Sequence, residues 1–142
     1  MLTLIFPGQG SQYIGMGKDF FDNFSVSKQV FNEVDDSLGF SLSKIMWEGT
    51  LEELTLTENA QPAIMTTSIA ILKAIEKEGF DVKKSTFVAG HSLGEYTALC
   101  ASGAIKLSDT ANLLKMRGLF MQKSVPVGTG AMAAILGLDL EN

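Results

Sequence analysis

The sequence predicts an α/β fold built on a parallel sheet, and three observations predict it. Two short apolar runs, Leu2–Phe6 and Thr86–Ala89, read as buried strands, and each runs directly into a glycine-bearing turn. Segments with apolar residues at helical spacing lie between and after them, the alternation that builds parallel sheets. The second strand leads into Gly90-His91-Ser92-Leu93-Gly94, a G-x-S-x-G pattern set between a strand and a helix. In that context the pattern is a nucleophile elbow, a strained turn that pushes a serine hydroxyl out above the sheet edge. Gly90 and Gly94, having no Cβ, let strand and helix pass close together beneath Ser92.

The elements follow in order. Pro7-Gly8 ends the first strand, and Gly8-Gln9-Gly10-Ser11-Gln12, with Gly15 and Gly17, forms a loop whose backbone N–H groups approach something closely. Ser25 is placed to cap a helix carrying Val26, Val30, Phe31, Val34 and Leu38, with Gly39 as its stop. Ser41 to Trp47 reads as a short helix, and Thr50-x-x-Glu53 has capping-box spacing for another. Asn59-Ala60-Gln61-Pro62 opens a long helix with Pro62 in its first turn and Ile64, Ile69, Leu72 and Ile75 inward, ended by Gly79. After the elbow, Leu93, Tyr96, Leu99 and Cys100 share a helical face, and Ser102-Gly103 breaks the chain. Ser108 is expected to cap a helix from Asp109 to about Lys123. Residues 125–130 read as a linker, and Ala131 to Leu138 as a further strand.

Composition narrows the function. The 142 residues suit one domain, and 46% hydrophobic content is ample for a core. Mean hydropathy of +0.20 is high for a small soluble protein and points to apolar faces that need a partner. A net charge of −5, a pI near 4.8 and no basic run longer than Lys83-Lys84 argue against nucleic acid and anionic membrane. Cys100 is the one cysteine, expected as a buried inert thiol. No basic leader precedes the short apolar N-terminus, and no window approaches the roughly 18 apolar residues of a membrane span, so a soluble cytoplasmic protein is expected.

A serine hydroxyl needs a base to take its proton, and the oxyanion it generates needs donors. Elbow enzymes draw one donor from the N–H after the serine, here Leu93, and another from a loop after a different strand. The Gln9 N–H suits the second role, although the same glycine loop could be an ordinary turn. The lone histidine, His91, adjoins Ser92, and neighbouring residues on a strand-like entry point apart, so a structural or site-lining role fits it better than that of base. Glu95 reads as a first-turn acid favoured by the helix dipole. No Cys/His set suits a metal, and no phosphate or dinucleotide motif occurs, so neither metal nor cofactor is expected. Arg117 shares a helical face with Leu113, Leu114, Phe120 and Met121 and must find an anion there. A structural partner, Asp or Glu, and a substrate carboxylate both satisfy that need.

Five motifs occur in order: Phe6-Pro7-Gly8-Gln9-Gly10-Ser11-Gln12; Gln61-Pro62-Ala63; Gly90-His91-Ser92-Leu93-Gly94-Glu95-Tyr96; Met116-Arg117-Gly118 with Met121-Gln122; and Gly128-Thr129-Gly130-Ala131-Met132-Ala133-Ala134. Together they resemble the N-terminal portion of the malonyl-CoA:acyl carrier protein transacylase family. The resemblance implies an α/β-hydrolase-like large subdomain over residues 1–127 and the start of a ferredoxin-like small subdomain over 128–142. It implies ping-pong transfer of malonyl from malonyl-CoA, through Ser92, to the phosphopantetheine thiol of acyl carrier protein. Gln9 and Leu93 would hold the oxyanion and Arg117 the malonyl carboxylate, a pair whose loss would cost about 3–5 kcal/mol if buried. His91 and Gln61 would line the site. Family members run to about double this length, and the second half carries the catalytic histidine, so this chain is expected to need that half. Two rivals stand beside this: a serine esterase or thioesterase of the same fold, and a non-catalytic piece that only binds acyl carrier protein.

Overall fold

A computed structural model describes residues 1–125 and 129–130. Strand β1 (Thr3–Phe6) pairs in parallel with β2 (Phe87–Gly90), in the register Thr3 with Phe87 through Phe6 with Gly90. The helices are α1 (Lys18–Asn23), α2 (Ser25–Leu38), α3 (Leu42–Glu48), α4 (Leu51–Thr55), α5 (Thr57–Lys77), α6 (Leu93–Ala101) and α7 (Leu107–Ser124). The predicted α/β class with a parallel sheet is therefore what the described residues form. The expected strand at Ala131 to Leu138 and nearly all of the expected small subdomain lie outside them.

Helix α5 is the axis of the molecule. Every residue from Asn59 to Thr67 is buried, and α2, α6 and α7 all pack on it. Phe31, Val34, Leu42, Met46, Leu54, Met65, Leu93 and Leu114 fill one continuous core around that helix. A second, smaller cluster of Phe6, Leu72 and Ala98 joins the sheet to α5 and α6. Alternation along the strands turns Leu4, Phe6 and Val88 toward that cluster and leaves Ile5 and Phe87 76% and 58% exposed on the opposite face. Parallel sheets ordinarily have both faces covered. The high hydropathy is explained by this bare face and by exposed Leu113, Met116 and Phe120 on α7.

Several local expectations need correction. Ser25 is the first residue of α2 rather than its cap; Phe24 holds the cap position, with no side-chain capping bond. Ser108 likewise lies inside α7, whose N-cap position is held by Lys106. Helix α5 begins at Thr57, ahead of the expected Asn59, and Pro62 stands in its second turn. Pro62 lacks the N–H that would reach the Glu58 carbonyl, and burial of its ring in the core offsets that loss. Ile75 and Leu99, expected inward, are half exposed; Thr97 and Ala98 are what α6 buries beside Leu93. Helix α1 carried no cap signal. It is held by Phe21, which packs against Phe31 and Trp47. Thr50 does cap α4, accepting from the Glu53 N–H at 3.1 Å, and Gly39 and Gly79 adopt the left-handed conformations that end α2 and α5.

Candidate active site

The elbow is a strained turn that the glycines on either side of Ser92 permit. Ser92 has φ 56° and ψ −110°, and it is the one described residue other than glycine with positive φ. Such a backbone costs about 1–3 kcal/mol and is retained where the surroundings over-determine it. The surroundings here are two contacts that tolerate no Cβ. A side chain on Gly90 would strike the Gly94 carbonyl, and one on Gly94 would strike the Phe6 carbonyl at the end of β1. The first turn of α6 is closed by Gly94 N–H to the His91 carbonyl at 2.9 Å and Glu95 N–H to the Ser92 carbonyl at 3.1 Å.

Helix α7 brings Arg117 to this elbow. One terminal nitrogen of its guanidinium, Nη2, donates to Ser92 Oγ at 3.0 Å. The other, Nη1, donates to Gln61 Oε1 at 2.6 Å. The Tyr96 ring, one turn into α6, lies 5.7 Å from the guanidinium carbon, within cation–π range. Among the described residues no carboxylate pairs with Arg117, so the structural ion pair that the sequence left open is not formed there. The apolar face expected around it also divides: Leu114 is buried, while Leu113, Phe120 and Met121 are exposed. These exposed residues, with Tyr96 and Met116, line an open groove of about 420 Å³ that leads to Arg117.

Gln61 is fully buried in α5, 56 residues before Arg117, and its Nε2 donates to Met121 Sδ at 3.3 Å. Gly118 makes this convergence possible: a Cβ there would come within 2.5 Å of Glu58 Cα and 2.6 Å of the Thr57 carbonyl. The glycine loop after β1 also approaches the elbow. Gly8 packs against His91, and the Gln9 side chain reaches Thr57 Oγ1 at 3.4 Å. The backbone N–H groups of Gln9 and Leu93 have no protein acceptor among the described residues. His91 is exposed and makes no hydrogen bond to Ser92; its own N–H donates to the Phe6 carbonyl at 3.1 Å, continuing the β1–β2 ladder. Arg117 thus bonds to both Ser92 and Gln61, Leu93 follows Ser92 directly in the chain, and the Gln9 side chain rests on Thr57.

The sequence profile of the acyl transferase domain matches residues 3–141. The chain belongs to the acyl transferase domain family. Among curated relatives, malonyl CoA-acyl carrier protein transacylase of Bacillus subtilis (strain 168) is 51% identical over 140 residues, 99% of this chain and 43% of that protein. Its namesake from Escherichia coli (strain K12) is 45% identical over 137 residues, 96% of this chain and 44% of that protein. The crystal structure of acyl-carrier-protein-S-malonyltransferase from Bartonella henselae superposes with a TM-score of 0.92 at 54% identity, over 99% of this chain and 46% of that one. This chain also superposes on a chain from the structure of a type II PKS acyl-carrier protein in complex with its malonyl-transacylase, with a TM-score of 0.90 at 43% identity, over 99% of this chain and 45% of that one. The chain spans less than half the length of these relatives.

Within this acyl transferase domain, the sequence gives four participants no role of their own. Tyr96, Met121 and Gly118 stand only as members of the quoted motifs or of apolar helical faces, and Thr57 is not singled out. Gly118 did leave a signal, because glycine inside a helix costs about 1 kcal/mol and is kept where another backbone passes close by. Lys115, three residues before Gly118, bonds to Glu58 Oε2 and Asn59 Oδ1, both at 3.3 Å. Among the described residues no group of His, Cys, Asp and Glu could hold a metal ion, and no helix is long and apolar enough to cross a membrane.

Proposed function

We propose that this chain is the N-terminal half of a malonyltransferase and carries its nucleophile, its oxyanion donors and its acyl-group cation. The observation that carries the reading is Arg117 beside Ser92. A fixed positive charge without an anionic partner among the described residues stands 3.0 Å from the hydroxyl that attacks. The substrate best suited to that pair has a carboxylate a short link from its reactive carbonyl, which describes a malonyl thioester.

Ser92 Oγ bonds to the thioester carbon while its proton passes to a base. The negative oxygen that forms is held by the N–H groups of Gln9 and Leu93, which have no acceptor among the described residues. Collapse breaks the carbon–sulfur bond, and CoA leaves as the thiol with the proton that the base held. The phosphopantetheine thiol of an acyl carrier protein then attacks the malonyl-serine ester, and Ser92 regains its proton. The chain needs no cofactor for these steps. The base comes from the other half of the protein, since His91 faces Gly8 and the β1–β2 ladder. Gln61 acts on Arg117, and His91 shapes the loop that carries Gln9.

The same reading takes the large subdomain, residues 1–127, as α/β-hydrolase-like, and residues 128–142 as the start of a ferredoxin-like small subdomain. The bare Ile5 and Phe87 face supports further elements packing there. Malonyl-CoA and acyl carrier protein are its partners, in the cytoplasm. Lys123, exposed on α7, is better placed to meet an acidic carrier protein than Lys115, which is already bonded to Glu58. The test is to incubate the full-length protein with malonyl-CoA and map the adduct by mass spectrometry, then add phosphopantetheinylated carrier protein. A malonyl group on Ser92 that moves to the carrier thiol is expected. Hydrolysis by water without transfer would favour an esterase, and no adduct at all would leave only a binding role.

A further inference from the structure

We propose that Gln61 is a positioning and specificity residue: a neutral amide that holds Arg117 without neutralising it, with Met121 supporting the amide's other end. The inference deepens the malonyl-transfer reading and rests on it. A guanidinium has donors and no acceptor, so only the amide oxygen can face it. Gln61 Oε1 accepts from Arg117 Nη1 at 2.6 Å. The amide nitrogen then points away and needs an acceptor, which the Met121 thioether supplies at 3.3 Å. With the amide reversed, N–H would confront N–H at one end and oxygen would confront sulfur at the other. Both neighbours therefore select one orientation.

The side chain cannot drift from that position. Gln61 is 0% exposed and lies within the continuously buried stretch of α5, one residue before Pro62. Arg117 reaches it from another helix, closed onto α5 at Gly118. Everything Arg117 touches among the described residues is uncharged: the Gln61 amide, the Ser92 hydroxyl and the Tyr96 ring. Glutamate at 61 would grip a guanidinium more strongly, as a charge-assisted pair. It would also spend the positive charge inside the protein. An amide leaves the substrate's carboxylate as the first anion that Arg117 meets. Discrimination between acyl groups with and without a carboxylate thus depends on residue 61 being Gln.

The test uses the full-length protein with Gln61→Glu, Gln61→Met and Met121→Leu, and reads kcat and KM separately for malonyl-CoA and acetyl-CoA. For Gln61→Glu, malonyl-CoA kcat/KM should fall by about tenfold or more, chiefly through KM, while acetyl transfer stays within about threefold. Gln61→Met, near in volume and lacking the amide, should lower the malonyl-to-acetyl ratio less. Met121→Leu should lower it least, because the Arg117 bond still orients the amide. Equal loss for both substrates in Gln61→Glu, at an unchanged melting temperature, would overturn the role. If Gln61→Glu does not fold, Gln61→Met decides, and a ratio equal to the parent's overturns the proposal. A parent-like ratio in Met121→Leu removes Met121 from it. A parent protein that never loads malonyl on Ser92 overturns the transfer reading and this inference with it. Malonyl loading with unmoved ratios overturns the role of Gln61 alone.

Discussion

Arg117→Ala separates the binding of a carboxylate from the chemistry at Ser92. Arg117 is half-buried, so water screens part of its charge and the 3–5 kcal/mol of a wholly buried pair is too much. Hydrogen bonds to a charged group are worth about 1.5–3 kcal/mol, which corresponds to a loss in malonyl-CoA kcat/KM of roughly tenfold to 150-fold. Acetyl-CoA has no carboxylate to lose. It forfeits only the 3.0 Å bond that Arg117 gives Ser92 Oγ, a loss that both esters share, so its kcat/KM should fall at least about tenfold less than that of malonyl-CoA. Stability changes as well, because Gln61 Oε1 is left buried without its 2.6 Å partner, at about 1–3 kcal/mol. Steady-state transfer to carrier protein from each CoA ester by the full-length protein, with thermal unfolding alongside, measures all three quantities. Equal losses for malonyl and acetyl would refute the carboxylate role and leave Arg117 as a structural donor to the elbow.

Three further outcomes follow from the geometry. Ser92→Ala should abolish the acyl-enzyme while the fold persists, and Ser92→Gly should melt higher than Ser92→Ala, since glycine relieves a backbone strain of about 1–3 kcal/mol at φ 56°; equal melting temperatures would argue that the elbow is unstrained. Gly118→Ala should destabilise by about 1–3 kcal/mol, because the added methyl meets the backbone of Thr57 and Glu58, and it should lower malonyl transfer more than acetyl transfer by displacing Arg117; wild-type stability would show that α5 and α7 have room to part. Burial raises the pKa of the Cys100 thiol despite the opposing Thr110 hydrogen bond, so alkylation by iodoacetamide at neutral pH should be slow until denaturant is added. A rate unchanged by denaturant would place the thiol in water.

The elements most legible in the chain were those whose signal is local. The strand–glycine–serine–glycine–helix run marked the elbow because only glycine tolerates the contacts between Gly90, Gly94 and the end of β1. Gly39 and Gly79 marked helix ends because a left-handed stop is a property of one residue. Cap assignment failed at Ser25 and Ser108, where the hydroxyl falls inside the first turn and Phe24 and Lys106 stand at the boundary. Helix α1 was missed because six residues are too few for periodicity to register, and its order comes from Phe21 packing on Phe31 and Trp47.

The same division runs through the site. A serine presented for attack and an arginine in need of an anion are both readable from residue types and spacing, since a G-x-S-x-G turn and an ionised guanidinium impose their requirements wherever they occur. Which anion the arginine awaits is not a local property. The helical pattern around Arg117 fits a structural pair, the commoner fate of a buried arginine, as well as a substrate carboxylate, and what lies opposite across α5 and α6 is set by packing. There the chain places a buried amide, a hydroxyl and an aromatic ring, all without charge. Contacts between residues 25 and 56 positions apart arise only when helices pack. Periodicity records which face turns inward, while the partner it meets is set by the packing of Gly118 onto Thr57 and Glu58.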